Sequence, residues 1–481
     1  MNLPVVIQGG MGIGVSNWKL ASAVSRKGQL GVVAGTALAT VLVRRLQNGD
    51  EDGMCRKAMG AFPVPEIVDR ILKRYFIPGG KERDQAYQRH SQPALGLQKP
   101  FQELTMVANF VEVYLGKAGH GGRVGLNLLE KIQIPTLPSL YGAMLAGVDY
   151  ILMGAGIPRA IPGVLDNFSR GESASLPIEV EGAGRGEVEF FRLDPSDYFP
   201  QKVPELKRPA FLAIVSSHVL AQTLVKKSSG QVDGLVVEGP AAGGHNAPPR
   251  VRGALTANGE PVYGPRDEVD LAKIRALGVP FWLAGSYGRP GQLGKALSLG
   301  AVGVQVGTPF AFCEESGIEP ALKAEVVARS KAGDLKVFTD PLASPTGFPF
   351  KVVSLPGTAS EKEVYENRTR RCDLGYLRKA YRREDGSLGY RCPAEPVVDY
   401  ERKGGLAAEA FNRKCACNGL LATIGLAQIQ AGQEIEPPLI TAGSEAGLLR
   451  EFLADQEQIG FTAAEVVDRI LGEPSMAGSS A

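Results

Sequence analysis

One short stretch, VVEGPAAGGHNAPPR (236–250), combines an acid, a pair of glycines and a histidine. Glu238 ends a run of apolar residues, and the glycine pair lets the chain turn sharply, so His245 is predicted to point into a cavity. Its imidazole is suited to proton transfer because its ordinary pKa lies near neutral pH. The alternative is a solvated loop histidine. His218 is a weaker candidate, and a metal role is not favoured because no second histidine lies near His245 in sequence.

Two further glycine-rich loops each follow an apolar run. The first, LAGSYGRPG, contains Gly285, Ser286 and Gly288, and the second, VGTPF, contains Gly307 and Thr308. Backbone N–H groups of such loops, and of a short helix that follows them, bind phosphate in many barrel enzymes. The sequence therefore predicts a phosphate site shared by the two loops. The alternative is that glycine serves only the shape of two tight turns.

The first apolar run ends in the stretch IQGGMGIGVSN, which contains Gly9, Gly10 and Met11. A dinucleotide-binding fingerprint is excluded here because Val15 stands where the third required glycine would be. A glycine turn of this kind lets backbone lie flat against a ring. The sequence therefore predicts a turn that approaches a planar ligand.

Two amide side chains stand beside these loops. Gln8 precedes the glycine turn, and its amide could hydrogen-bond a ring ligand. Asn127 lies inside an otherwise apolar run, GLNLL, where a buried amide needs partners. Asn127 therefore either caps local backbone or faces a ligand, and the second interpretation is favoured.

Four cysteines, Cys372, Cys392, Cys415 and Cys417, lie within a short part of the chain. Four thiolates could bind zinc tetrahedrally as a structural site. The spacing is not that of paired Cys-x-x-Cys motifs, so the alternative is four unrelated cysteines, some of them simply buried. The cluster therefore predicts a structural zinc site in this part of the chain.

Eight short apolar runs, separated by helical stretches, must position these residues. They are nearly continuous in apolar residues, as expected for parallel strands covered on both faces. The runs are residues 5–8, 30–34, 123–129, 148–153, 210–215, 232–237, 279–284 and 301–306. Eight such strands predict an α/β fold, a TIM (β/α)8 barrel, with the candidate residues at the carboxyl ends of its strands.

The spacing of the runs also predicts additions to the barrel. Residues 1–320 are assigned to the barrel, with insertions at about 35–122 and 154–209. The first insertion contains helical patterns and the second a small hairpin. Residues 321–475 form a C-terminal extension that packs on the barrel and carries the cysteine cluster at 372–417. Residues 476–481 are expected to be a disordered tail.

Composition narrows the function classes. The chain has 481 residues, 44% of them hydrophobic and 22% charged, with 53 basic and 51 acidic side chains for a net charge of +2. This balance does not favour nucleic acid or a membrane as a partner. No apolar run reaches the ~20 residues needed to span a bilayer. Six cysteines in so long a chain do not suggest a secreted disulfide scaffold, so a cytoplasmic protein is expected.

The stretches IQGGMGIGVSNWKLASAVSRKGQLGVVAGTAL, VVEGPAAGGHNAPP and LSLGAVGVQVGTPFAFCEES together resemble the nitronate monooxygenase family, in a long bacterial form. The superfamily also includes FMN-dependent enoyl-ACP reductases. The resemblance covers roughly residues 1–350 and implies a TIM barrel that holds FMN non-covalently, with His245 as the catalytic residue. The implied FMN-contacting residues are Gly9, Gly10, Met11, Asn127, Glu238, Gly243, Gly285, Ser286, Gly288, Gly307 and Thr308. The family's glycine pair after strand seven is Gly285-Ser286 in this chain.

Three functions are compatible with these residues and with the resemblance. The first, implied by the resemblance, is an FMN-dependent monooxygenase that oxidises alkyl nitronates with O2, in which His245 deprotonates a nitroalkane or holds the anionic substrate. The second is an FMN-dependent enoyl-thioester reductase that uses NAD(P)H. The third is a flavin-binding scaffold whose extension docks a partner. A small molecule is the expected partner in the first two, and a homo-oligomer is compatible with all three.

Overall fold

The computed structural model describes residues 3–96, 99–184, 186–199, 201–251, 253–430, 434–455 and 457–472. Every residue that the sequence assigns to a candidate site lies within these ranges. The tail expected to be disordered, 476–481, lies outside them.

Eight parallel strands form a closed barrel, as the eight apolar runs predict. In chain order they are β1 (Val6–Gln8), β2 (Gly31–Ala34), β3 (Val124–Leu129), β4 (Tyr150–Gly154), β5 (Ala210–Val215), β6 (Gly234–Glu238), β7 (Phe281–Ala284) and β8 (Gly303–Val306). Neighbouring strands pair in the order β1-β8-β7-β6-β5-β4-β3-β2. A parallel bridge between Ile7 and Leu30 joins β1 to the start of β2 and closes the ring. The fold is the expected TIM (β/α)8 barrel.

The inside of the barrel is a packed core. Side chains such as Ile7, Leu152, Leu212 and Trp282 form one buried cluster there. Trp282 is fully buried, and its Nε1–H donates to the carbonyl oxygen of Pro4 at 2.8 Å. Because the interior is filled, a ligand must bind above the strands, at their carboxyl ends.

Helices surround the barrel and make up much of its additions. The α-helices are Trp18–Arg26, Leu38–Gln47, Met54–Met59, Pro65–Tyr75, Lys99–Lys117, Thr136–Leu145, Ile161–Ser169, His218–Lys227, Leu271–Arg275, Gln292–Ser298, Thr308–Ala311, Pro320–Ala332, Lys362–Asn367, Val397–Arg402, Ala407–Ala410, Ala416–Thr423 and Ala463–Leu471. Short 3-10 helices are Pro195–Asp197, Pro265–Asp267 and Ala446–Phe452. In the described part of the chain, no helix is both long and apolar enough to cross a membrane.

The second insertion contains the expected hairpin and also meets the extension. Its strands Ala174–Ile178 and Glu189–Leu193 pair antiparallel. Between them, Val180–Glu181 pairs in parallel with Lys379–Arg382, which pairs antiparallel with Leu388–Arg391. The three-stranded sheet therefore joins two parts of the chain that are far apart in sequence.

The extension reaches the mouth of the barrel. Its hairpin of Val337–Asp340 and Phe350–Val353 lies against the loop after β6, where the backbone N–H of Lys351 donates to the carbonyl of Gly244 at 3.0 Å. A second extension segment contacts the same loop, because Gly244 N–H donates to Thr441 Oγ1 at 2.9 Å. The extension thus holds the loop that carries His245.

Candidate active site

A large cavity lies at the carboxyl ends of the barrel strands. Its empty space is about 1920 Å³, including the opening to solvent. His245 and all the residues that the resemblance implies for FMN contact line it, namely Gly9, Gly10, Met11, Asn127, Glu238, Gly243, Gly285, Ser286, Gly288, Gly307 and Thr308. The structure therefore gathers one histidine, four glycine-containing loops and two polar strand residues around one space. Glycine loops and polar side chains around a concave, partly apolar space are typical of a ligand-binding site.

The loop after β7 has the properties of an anion site. Among the described residues, the backbone N–H groups of Ser286, Tyr287 and Gly288 have no intramolecular acceptor. Gly285 and Ser286 both adopt positive φ, at 84° and 68°, in the left-handed region that favours glycine. A Cβ at Gly288 would lie 2.9 Å from Val306 Cγ1. Successive free N–H groups in such a turn form a concave anion site that fits a phosphate.

The loop after β8 contributes differently. Thr308 begins a short helix, Thr308–Ala311, directly after Gly307. Its hydroxyl oxygen accepts a hydrogen bond from the N–H of Gly443, in the extension, at 2.8 Å. Thr308 therefore fixes the extension to the rim of the cavity as well as lining it.

Polar side chains above the strands have hydrogen-bonding capacity left over. Gln305, on β8, lines the cavity, and its Oε1 is buried without a partner among the described residues. Asn127 and Glu238 line the same cavity, and their side chains make no hydrogen bond within the described structure. A buried amide normally finds a partner, so these groups fit the polar edge of a bound ring. Gln305 was missed by the sequence analysis, where it is one polar residue inside an apolar run.

The glycine turn after β1 comes very close to Asn127. A Cβ at Gly10 would lie 2.2 Å from the Cβ of Asn127, so only glycine fits there. The expectation that Gln8 bonds a ring is wrong. Its Nε2–H donates to Ser16 Oγ at 2.8 Å, and its Oε1 accepts from the N–H of Val32 at 2.9 Å. Gln8 is fully buried and holds the turn in place.

His245 is not a solvated loop histidine. Its ring packs edge-on against Phe350, with centroids 4.8 Å apart, and its Nε2 lies 2.6 Å from Ser344 Oγ. Burial lowers the pKa of His245 to about 4, so the imidazole is neutral at physiological pH. Both partners come from the extension. The proline- and glycine-rich stretch at 339–352 was the signal in the sequence that could have found them.

Glu238 is the second titratable group at the cavity. Burial raises its pKa to about 7, and the charge of Lys351 acts in the opposite direction. Lys351 is itself buried, with a pKa that burial lowers to about 8, and its Nζ donates to Thr339 Oγ1 at 2.8 Å. The cavity therefore contains a carboxyl group that titrates near neutral pH.

His218, the weaker histidine candidate, lies outside the residues that line the cavity. It begins the helix His218–Lys227, whose first turn is capped by the side chain of Ser217. His90, from the first insertion, is buried and hydrogen-bonded to Thr40 Oγ1 at 2.7 Å. His245 is thus the one histidine of the four that reaches this cavity.

The four cysteines of the extension surround one small cavity, as their clustering in sequence suggested. All four are free thiols, and burial raises the pKa of Cys372 to about 12. Yet no group of three or more His, Cys, Asp or Glu among the described residues is arranged to hold a metal ion. The zinc expectation is therefore not supported. The four thiols line the same cavity, but they are not arranged to bind one metal ion together.

The extension adds apolar side chains to the lining of the main cavity. Phe350, Leu377, Leu420 and Leu439 all line it, and Tyr376 does so with its hydroxyl 3.1 Å from Thr40 Oγ1. No motif in the sequence predicts that these residues line the site. They lie far in sequence from the barrel motifs, so no local pattern connects them to the cavity.

Comparison with known proteins agrees with the motifs. Residues 185–342 match the family model of nitronate monooxygenase. A probable nitronate monooxygenase of Bacillus subtilis (strain 168) is 34% identical over 150 residues, which cover 31% of this chain and 40% of that protein. The chain thus matches less than half of the length of this curated relative. The predicted resemblance to this enzyme family is confirmed, and with it the expectation of an enzyme.

Solved structures were also matched, at low identity. FabK from Thermotoga maritima has a TM-score of 0.44 and 15% identity, over 98% of this chain and 92% of that chain. A nitroalkane oxidase from Streptomyces ansochromogenes has a TM-score of 0.43 and 15% identity, over 98% and 95%. The enoyl reductase domain of MlnA, from the macrolactin biosynthesis cluster of Bacillus amyloliquefaciens, has a TM-score of 0.46 and 12% identity, over 98% and 94%. Similarities this low do not identify a reaction.

Proposed function

We propose that this chain, whose residues 185–342 match the nitronate monooxygenase family, is an FMN-dependent oxidoreductase that oxidises alkyl nitronates with O2. One observation carries the proposal. A single cavity combines the unpaired N–H groups of 286–288, the open amides of Asn127 and Gln305, and the neutral imidazole of His245. When bound, FMN would take electrons from the substrate and pass them to O2.

Each part of FMN has a counterpart in this chain. The N–H groups of Ser286, Tyr287 and Gly288 would bind the phosphate. The side-chain amides of Asn127 and Gln305 would orient the polar edge of the ring. Extension residues that line the cavity would exclude water from the reacting face, which strengthens every polar interaction there.

His245 would bind the substrate next to the ring. A nitronate carries negative charge on its oxygens, and an imidazole N–H is a good donor to such an oxygen. Since burial keeps His245 neutral, its binding role does not require a titration near neutral pH. The packing against Phe350 and the hydrogen bond to Ser344 hold the ring in one orientation.

The test is the His245→Ala variant. We expect the purified protein to be yellow with bound FMN, both as wild type and as the variant, because His245 is not among the phosphate-binding or amide groups. Nitronate-dependent O2 uptake without NADPH should fall by about 10²-fold or more, the usual contribution of a positioned acid–base or hydrogen-bonding group.

His218→Ala is the matched control, since His218 lies outside the cavity. It should leave both flavin content and O2 uptake unchanged. A colourless wild-type protein that takes up no FMN would disprove the cofactor proposal. Normal turnover by His245→Ala would disprove the role of the histidine.

A second candidate, an FMN-dependent enoyl-thioester reductase that uses NAD(P)H, is favoured by the apolar wall that the extension adds. Leu377, Leu420 and Leu439 line the same cavity as His245 and give it room for an acyl chain, which a short nitronate does not need. Oxidation of NADPH that requires an enoyl thioester would select this candidate. Oxygen uptake that requires only a nitronate would select the first.

A further inference from the structure

We infer that Ser344 and Thr346, two residues of the extension, fix His245 in the tautomer whose Nδ1–H faces the cavity, so that His245 donates a hydrogen bond to a substrate oxygen and does not act as a base. The inference deepens the proposed function, because it rests on that cavity binding an oxygen-bearing substrate. It also narrows the substrate to one that arrives already deprotonated.

The two ring nitrogens of His245 have different surroundings. Nε2 lies 2.6 Å from the hydroxyl of Ser344, which is fully buried. Nδ1 has no hydrogen-bond partner among the described residues, and it is not one of the buried polar atoms sealed without a partner. Since His245 lines the main cavity, Nδ1 is the nitrogen that is open to a ligand there.

The hydrogen-bond pattern around Ser344 decides where the ring proton lies. Ser344 Oγ is 2.8 Å from Thr346 Oγ1 and accepts from the backbone N–H of Thr346 at 3.2 Å. Thr346 Oγ1 in turn accepts from the N–H of Phe348 at 3.3 Å. Thr346 therefore has one side-chain acceptor within reach for its own hydroxyl proton, which is Ser344 Oγ.

With the proton of Thr346 directed at Ser344, the proton of Ser344 is directed at Nε2 of His245. Both hydroxyl protons then have an acceptor, Nε2 accepts from Ser344, and the ring proton is on Nδ1, where it faces the cavity. The reverse direction, from Nε2–H to Ser344 to Thr346, would leave the hydroxyl proton of the half-buried Thr346 with solvent in place of a described protein acceptor.

The same arrangement opposes action as a base. In serine hydrolases a carboxylate accepts from the remote nitrogen and stabilises the imidazolium. Here the remote nitrogen instead accepts a proton from a hydroxyl, and the nearer nitrogen already carries one. Among the described residues, no carboxylate is hydrogen-bonded to the ring, and burial further disfavours the charged form. His245 is thus built to donate to an anionic oxygen.

The direct test is the ¹⁵N NMR spectrum of the full-length protein labelled at histidine. The chain has four histidines, so the signals of His245 are identified as those lost in a His245→Asn variant. We expect Nδ1 to have the shift of a protonated ring nitrogen and Nε2 that of an unprotonated one. In Ser344→Ala this preference should be lost, whereas Ser344→Thr, which keeps the hydroxyl, should retain it.

Kinetics give a second measurement. The amide of an asparagine places a donor near the position of Nδ1, whereas that of a glutamine reaches the position of Nε2. His245→Asn should therefore retain KM within about threefold of wild type, while His245→Gln should lose substrate binding by about tenfold or more. A preformed nitronate should be turned over, and the neutral nitroalkane should not.

A proton on Nε2 in the wild-type spectrum would overturn the inference, as would a Ser344→Ala spectrum identical to the wild type. The NMR result does not depend on turnover. A protein with the expected tautomer that turns over neither substrate class would therefore reject the proposed function while leaving the tautomer assignment in place.

Discussion

Two side chains in the cavity titrate far from their ordinary ranges, and burial moves them in opposite directions. The pKa of His245 is lowered to about 4, and that of Glu238 is raised to about 7. Each shift disfavours the charged form of the group. Between about pH 5 and pH 6 both groups are consequently neutral.

The shift of Glu238 predicts an unusual pH dependence of stability. Because its pKa rises from 4.5 in the unfolded chain to about 7 in the folded protein, the folded state binds more protons between these values, and stability falls as pH rises through this window. Glu238→Gln removes the effect. The free energy of unfolding of Glu238→Gln minus that of wild type, measured by urea denaturation, should therefore increase from pH 5 to pH 8.

Glu268→Gln, on an exposed loop, is the matched control and should show the same difference from wild type at both pH values. If Glu238→Gln also showed a constant difference, the carboxyl of Glu238 would have to titrate in its ordinary range, and its burial would not control its charge.

At the residue scale, the sequence does not show which of two side-chain amides, Gln8 or Asn127, faces a ligand. Gln8 and Asn127 both stand at barrel strands, and both were expected to face a ligand. The side-chain amide of Gln8 is hydrogen-bonded to the hydroxyl of Ser16 and to the N–H of Val32. The side-chain amide of Asn127 has no hydrogen-bond partner among the described residues. The decisive partners lie across a turn or on the next strand, so no spacing along the chain reveals them.

At the scale of elements, the barrel was predictable because its signal is local. Each strand is an almost continuous apolar run, since helices cover it outside and a packed core fills it inside. The helix Pro65–Tyr75 belongs to the helical patterns that the sequence predicts for the first insertion. The periodicity of apolar residues does not predict which short segments pair when they lie far apart in sequence. Val180–Glu181 and Lys379–Arg382 form such a pair.

The contact between the loop after β6 and the extension segment at 441–444 is an element-scale feature that a single substitution can disrupt. A Cβ at Gly243 would lie 2.8 Å from the carbonyl carbon of Ala442, and backbone at this distance cannot rotate away. Gly243→Ala should therefore lower the free energy of unfolding by about 1–3 kcal/mol. Since Gly243 lines the cavity, FMN affinity measured by flavin fluorescence should fall as well.

Gly264→Ala is the control, because a Cβ there meets nothing within 4 Å and its φ is not positive. Its stability and flavin affinity should match wild type. Equal flavin affinity in wild type and Gly243→Ala would show that the extension is not needed to shape the cofactor site.

At the scale of the whole molecule, all six cysteines are free thiols, and four of them surround one cavity. Burial raises the pKa of Cys55 and of Cys372 to about 12, so almost none of either is thiolate at pH 8. Because the thiolate is the reactive form, a thiol reagent should label the native protein slowly and the urea-unfolded protein rapidly at six positions.

A chelator distinguishes burial from metal binding as the cause of slow labelling. With burial alone, adding a chelator should leave the native labelling rate unchanged. Faster labelling in its presence would show that a metal ion protects the thiols, and it would restore the zinc prediction that the arrangement of these side chains does not support.

Barrel residues line one part of the cavity. Residues of the extension, the last of which is Phe452, line another part. During translation, β8 can close the ring with β1 once residue 306 is available, yet the cavity is still incomplete at that point. Roughly 150 further residues must be made, which takes roughly 7–30 s at about 5–20 residues per second. A nascent chain that has reached β8 therefore still lacks residues that line the cavity, and retention of a cofactor in the complete cavity would require the chain to extend at least to Phe452.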